Sequence, residues 1–376
     1  MGNKFTRSDS PLFQPFQLGA HLLRNRIVMS PMSRNRARAD NMPTDLMAAY
    51  YAQRASAGLI ISESAQVSQQ GKGYRNSPGI YSEGQVQAWR EIADGVHAAG
   101  GKMFLQLWHA GRNSHPNLQP EGQLPIGPSE VRPDVEVSTD EGMKAAQTPR
   151  AMELQEIPGI IEQYRQGARN ALAAGFDGIE IHAGNGFLLD QFLRNGANRR
   201  QDQYGGSIPN RARLLLEIVS ALSQIWPANR IGVKVSPTAS YGDIADSNPE
   251  ELYAYVVGEL NGFGLAYLHV VEGELLSTRT VPGVDFRRLC AAFSGPVISN
   301  NCYGFEDAHE AIETGGAELV SFARHYVANP DLVERFRSGT PLSYFDPATL
   351  QVGGARGYVD SPALQTAPMP LLSLFT

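Results

Sequence analysis

Residues 172–182 read LAAGFDGIEIH, and they state the local rule of this chain. A helical run ends in small residues and glycine, and a short β-branched run follows at once. Glycine at the end of a helix accepts the left-handed backbone needed to turn back, and a strand buried on both faces reads as a short apolar run. The same signature recurs at 55–64 (ASAG, then LIISES), 97–108 (HAAGG, then KMFLQLW), 261–272 (NGFG, then LAYLHVVE) and 313–324 (ETGG, then AELVSFAR). Working outward from these returns predicts eight strands, at 27–30, 59–63, 103–107, 178–182, 231–236, 267–272, 297–299 and 319–323. Helical periodicity lies between them at 85–99, 157–174, 211–225, 249–260 and 305–314. Strand–helix alternation repeated eight times predicts an α/β fold, a single (β/α)8 TIM barrel. The competing fold, an open doubly wound sheet, would carry a GxGxxG turn after its first strand. Ser30-Pro31-Met32-Ser33 has no such glycines.

Length and composition agree. A chain of 376 residues, 42% hydrophobic and 19% charged, can bury one large core. A net charge of −6 argues against nucleic acid as a partner. Cys290 and Cys302 supply neither a disulfide framework nor a CxxC zinc pattern, and no metal is expected. The N-terminus lacks the apolar core of a signal peptide, and no run is long and apolar enough to span a membrane. The reading is a cytoplasmic enzyme, monomer or homodimer. MGNKFT fits the loose myristoylation pattern at Gly2, a match that arises commonly by chance. The whole chain, 1–376, reads as one domain with its core at about 12–358. A lid-like excursion, 109–155, follows the third strand, and a proline-punctuated tail, 361–376, is peripheral.

In a barrel, chemistry gathers where strands end. Those ends carry Pro31, Met32 and Ser33; Glu63 and Ser64; Gln106 and Trp108; His182, Asn185 and Phe187; Lys234; Asn300, Asn301 and Cys302; Ala323 and Arg324. Each has a bland reading. Gln106 could tie two strands together, His182 could be a satisfied structural histidine, and Lys234 could pair with Glu180 inside the barrel. Convergence of seven strand ends on one mouth favours a flat polar ligand bearing a phosphate. Arg324 and the Asn301 and Cys302 amides would hold that phosphate.

The stretches RIVMSPMSRNRA, YYAQRASAGLIISE, LQLWHAGR, IHAGNGFLLDQFL, NRRQDQYGGSIPNRARLLLE, GLAYLHVVE and ANPDLVERF resemble the Old Yellow Enzyme family of flavin-dependent ene-reductases. Within that family they look closest to the bacterial branch of N-ethylmaleimide, pentaerythritol tetranitrate and morphinone reductases. The resemblance implies non-covalent FMN reduced by NADPH or NADH. Pro31, Met32 and Ser33 would underlie the flavin ring. Ser64 and Gln106 would reach its pyrimidine end and Lys234 its N1–O2 edge. Asn301, Cys302, Ala323 and Arg324 would hold the phosphate. His182 and Asn185 would donate to the oxygen of a small electrophilic alkene, with Trp108 and Tyr358 lining the substrate pocket.

Three positions depart from the family pattern. Phe187 stands where the family usually has the Tyr that protonates the substrate, so the proton must come from water or another side chain. Lys234 replaces an Arg. The phosphate loops read SNNCYG and SFAR where relatives often carry glycine. The expected activity is reduction of enones, maleimides, quinones or nitro compounds. The alternatives are a flavin-dependent double-bond isomerase and a flavin-free, non-catalytic barrel.

Overall fold

The computed structural model describes residues 6–364 apart from 276. The myristoylation pattern at Gly2 and residues 365–376 of the tail lie outside that range. Eight parallel strands form the barrel. They are β1 (Ile27–Met29), β2 (Leu59–Ile61), β3 (Met103–Trp108), β4 (Gly178–His182), β5 (Ile231–Val235), β6 (Tyr267–Val271), β7 (Val297–Asn300) and β8 (Leu319–Phe322). Each pairs with the next, β8 pairs with β1, and β3 pairs with β4, so the sheet closes. All eight expected strands are present, with ends shifted by two residues at most.

The helices form where the periodicity places them. Ile157–Ala173 turns Ile157, Ile160, Tyr164, Ala168 and Ala171 inward and ends before Gly175, whose φ of +84° reverses the chain into β4. Glu83–Ala98 begins two residues earlier than expected, at a capping box between Ser82 and Gln85. Ile208–Leu222 begins three residues early because proline in the first turn is already set for a helix. Pro249–Leu260 has the expected bounds, and Phe305–Glu313 stops one residue short.

Strand alternation divides the interior into tiers. Odd-numbered β3 and β4 positions such as Leu105, Leu107, Ile179 and Ile181 pack on the helices in the main core. The inward positions begin with an apolar tier of Val28, Leu59, Ile61, Phe104, Tyr267, Ile298 and Leu319. A hairpin of Phe16–Leu18 and His21–Leu23 closes that end of the barrel with Leu18 and Leu23. Space for the Phe104 and Tyr267 rings comes from Gly178 and Gly232. A methyl on Gly232 would meet the Tyr267 ring at 2.2 Å. The next tier is polar and opens on the C-terminal mouth.

The excursion after β3 holds more order than its composition suggests. Its start is packed, with His109, Arg112, Asn113 and Ser114 all buried. A two-stranded hairpin, Glu136–Thr139 with Gly142–Ala145, stands further along. At the far end of the chain, Arg34 and Arg36 emerge buried from β1 and bond the carbonyls of Thr349, Leu350, Val352 and Gly357. They hold that segment as a strap across the mouth.

Candidate active site

A cavity of about 1030 Å³ opens at the C-terminal ends of the strands. Pro31, Met32, Ser33, Ser64, Gln106, His182, Asn185, Phe187, Lys234, Asn301, Cys302, Ala323 and Arg324 all line it. The barrel brings them together from β1, β2, β3, β4, β5, β7 and β8. Two expected lining residues stand elsewhere. Tyr358 is fully buried, stacked on Tyr50 at 4.1 Å with Arg34 and Arg36 beside its ring, so it fastens the strap instead of facing a ligand. Trp108 is also fully buried. It sits behind Tyr74 (5.5 Å) and Phe187 (5.1 Å) and backs the cavity wall.

The floor is a continuous hydrogen-bonded ladder across the barrel. Ser64 Oγ donates to Gln106 Oε1, and Gln106 Nε2 donates to Glu180 Oε1 at 2.7 Å. Glu180 Oε2 meets His269 Nδ1 at 2.8 Å, and His269 Nε2 meets Ser321 Oγ at 2.8 Å. Asn300 Nδ2 donates to Ser321 Oγ at 2.7 Å and to Ser30 Oγ at 3.4 Å. Burial pushes the Glu180 carboxyl up, but His269, Lys234 and Gln106 outweigh it and hold the group below its ordinary value. Burial, reinforced by Lys234, brings His269 down to about 4. The pair is therefore carboxylate and neutral imidazole, with the proton on Nδ1 and Nε2 accepting from Ser321.

Lys234 stands beside this ladder but does not join it. Its ammonium makes no hydrogen bond or ion pair among the described residues. Direct pairing with Glu180 is thereby replaced by attraction at longer range. Burial lowers Lys234 to about 8, partly countered by Glu180, so the charge persists at neutral pH and faces the cavity.

His182 ends β4, and burial holds it at about 3, with the Lys234 charge adding to the effect. The Gly184 amide donates to Nδ1 at 3.4 Å, which leaves the Nε2 proton to donate. Asn185 follows in the left-handed region, φ +54°, and its Oδ1 is buried without a partner. This turn is clamped. Asn113 and Gln191 donate to the Gly186 carbonyl at 2.9 and 2.8 Å, and Gly186 N donates to Asp190 at 2.8 Å. Asp190 in turn pairs with buried Arg194 at 2.8 Å. Asp190, Gln191 and Arg194 are positioning residues; the first two stand in the stretch IHAGNGFLLDQFL and Arg194 directly follows it, and the i, i+4 spacing of Asp190 and Arg194 on an apolar helix was the available signal.

Phe187 caps the short helix Leu188–Leu193 and meets the rings of His182 at 5.1 Å, Tyr241 at 6.1 Å and Tyr74 at 6.3 Å. Tyr74 and Tyr241 went unnoticed in the sequence because they lie in loops. Val135, Glu136, Ser138 and Met143 of the excursion complete the outer wall. At the opposite end, Asn301 and Cys302 both hold positive φ, +99° and +54°, in place of the expected glycines. Asn301 Nδ2 bonds the carbonyls of Glu272 and Glu274, fixing the strained turn. Arg324 Nη2 lies 2.9 Å from Cys302 Sγ. Asp307, the one acidic side chain at this end of the cavity among the described residues, is engaged by Arg279 at 2.9 Å.

One cation on the floor, another at the far end and a neutral imidazole between aromatic walls form a recognisable chemistry. Residues 11–343 match the NADH:flavin oxidoreductase / NADH oxidase family. The chain belongs to the Old Yellow Enzyme family. It is 41% identical to putative 12-oxophytodienoate reductase 11 of Oryza sativa subsp. japonica over 95% of its length and 98% of that protein's. It is 37% identical to 12-oxophytodienoate reductase 2 of Arabidopsis thaliana over 97% and 99%. Morphinone reductase in complex with tetrahydroNAD superposes with a TM-score of 0.90 at 43% identity, covering 95% of this chain and 98% of that one. The Old Yellow Enzyme homologue of Zymomonas mobilis gives 0.90 at 40%, covering 94% and 99%. As an Old Yellow Enzyme the chain is an oxidoreductase with FMN as cofactor and a nicotinamide dinucleotide as reductant. No described helix is long and apolar enough to cross a membrane, and no described cluster of His, Cys, Asp or Glu could hold a metal.

Proposed function

We propose that this Old Yellow Enzyme is an ene-reductase, acting on alkenes conjugated to a carbonyl or imide and also on quinones and nitro compounds. The observation that carries the reading is the neutral His182, its Nε2 proton free to donate, beside Asn185 in an aromatic-walled cavity, where the Asn185 side-chain NH2 would be the second donor. Two such donors on one carbonyl oxygen stabilise the enolate that forms when the β-carbon takes hydride, as an oxyanion hole does.

The cavity fits FMN. Lys234 offers a charge without a hydrogen-bonded counter-ion to an anionic ring edge, and Gln106, oriented by Glu180 and Ser64, offers its remaining N–H. Pro31, Met32 and Ser33 line the cavity beyond the end of β1, and Arg324 offers a fork suited to phosphate. Bound FMN supplies two-electron hydride chemistry. The chain binds it, fixes the substrate oxygen through His182 and Asn185, and excludes water with Tyr74, Phe187 and Tyr241.

The test is anaerobic reduction by NADH and by NADPH, followed by mixing with enones, a maleimide, quinones and nitro compounds. Nicotinamide consumed in step with saturated product supports the reading. Double-bond migration without consumption would instead establish an isomerase, and failure to take up FMN a non-catalytic barrel.

A further inference from the structure

Reduction of a carbon–carbon double bond needs a proton as well as a hydride, and the Phe187 ring has none to give. We propose that Tyr241, supported by Tyr74, is the acid that protonates the carbon next to the carbonyl. The proposal rests on the ene-reductase reading and deepens it.

Three proton-bearing rings surround Phe187 within the cavity: His182, Tyr74 and Tyr241. His182 is committed to the carbonyl oxygen. The Tyr74 and Tyr241 hydroxyls lie 3.5 Å apart, and both side chains line the cavity. When Tyr74 donates to Tyr241, the Tyr241 proton is left for the substrate, and the phenolate that remains keeps a donor. The balance of effects has the same sense. Burial raises both phenols, but the bond between them lowers Tyr241 and raises Tyr74.

Both rings are held in place. Tyr74 stacks on Trp108 with ring planes 21° apart. The Tyr241 carbonyl presses on Gly186, where an added methyl would meet it at 2.4 Å. Arg112 anchors the next two residues through the Gly242 carbonyl at 2.9 Å and Asp243 at 3.1 Å. The loop carrying Tyr241 is thus pinned to the turn carrying His182 and Asn185. In the step itself, the β-carbon takes hydride from the reduced flavin and the enolate pair attacks the phenolic proton. The Tyr241 O–H bond breaks, the α C–H bond forms, and the phenolate recovers a proton from water.

The test is Tyr241→Phe in the FMN-loaded protein, mixed after reduction with an enone and with a quinone, whose oxygens exchange protons with solvent. The enone-to-quinone rate ratio falls about a hundredfold or more, and Phe187→Tyr added to Tyr241→Phe restores much of it. A second readout uses the flavin-free protein carrying tyrosine labelled with carbon-13 at Cζ. Tyr74→Phe raises the pH at which the Tyr241 resonance titrates. A wild-type rate ratio in Tyr241→Phe, or a Tyr241 titration unmoved by Tyr74→Phe, overturns the proposal and leaves the ene-reductase reading intact. A wild-type protein whose reduced flavin no alkene reoxidises overturns that reading itself.

Discussion

Lys234→Met removes one positive charge from the cavity floor and leaves the shape of the side chain nearly unchanged. The structure allows its effect to be estimated in two states. In the flavin-free protein the ammonium has lost water without gaining an ion pair. The fall from 10.5 to about 8 corresponds to about 3 kcal/mol of unfavourable burial. The sign follows from proton binding. The unfolded chain holds this proton up to pH 10.5 and the folded chain only to about 8, so the burden is full below pH 8 and fades above it. Flavin-free Lys234→Met is therefore at least as stable as wild type at pH 7. With reduced, anionic flavin bound, the balance reverses. An opposite charge held at about 4 Å, at an effective dielectric of 20, would be worth about 4 kcal/mol. For a two-electron couple that is about 90 mV, and partial solvent access brings the expected drop in reduction potential to roughly 50–90 mV. Potentiometric titration against a reference dye, beside urea unfolding of the flavin-free form, measures both. A potential within about 10 mV of wild type, with FMN fully bound, refutes the reasoning and moves Lys234 away from the anionic edge.

Other perturbations have equally definite outcomes. His182→Ala and Asn185→Ala each slow enone reoxidation by about a hundredfold and weaken the long-wavelength charge-transfer band of a bound phenolate; a double variant that keeps the band and the rate disproves the shared oxygen site. Burial holds His109 and His182 at about 3 and His269 at about 4, so below pH 6.5 the unfolded chain takes protons that the folded chain refuses. Stability measured by urea then falls steadily from pH 6.5 towards pH 4, and a flat profile refutes the neutral assignment. Gly232→Ala drives a methyl into the Tyr267 ring and costs about 1–3 kcal/mol. Tyr267→Leu in the same chain recovers part of that loss in thermal unfolding, and equal losses with and without it refute the packing argument.

The fold was legible because the barrel strands are short and apolar and five of the eight follow a glycine return. The site was legible because polar residues such as Gln106, His182 and Lys234 interrupt those runs on the inward side. What escaped notice lacked such contrast. The helix Asp45–Ala52 is apolar on more than one face and gives no clear stripe. The hairpin at 136–145 is made of largely exposed residues. Aromatic residues misled in both directions. Trp108 and Tyr358 promised a pocket wall but stack inside the protein, whereas Tyr74 and Tyr241 come from loops and form that wall. Strand alternation specifies which face a residue takes; it says nothing about how far a loop carries its side chains over the mouth.

The ladder from Ser64 to Ser30 separates the molecule into two parts that can vary independently. Its members satisfy one another across seven strands, so replacing one by an apolar residue orphans a buried neighbour, and surviving changes there must come in complementary pairs. The rim above is bonded far more sparsely, its Tyr74–Tyr241 pair being the exception. Outside that pair, Phe187 and the 136–145 hairpin can exchange size and polarity while the electrostatics of the floor stay as they are. Rim and floor substitutions that share no contact should combine additively. New substrate preferences can then be selected at the entrance, in single steps, without retuning the cofactor beneath it.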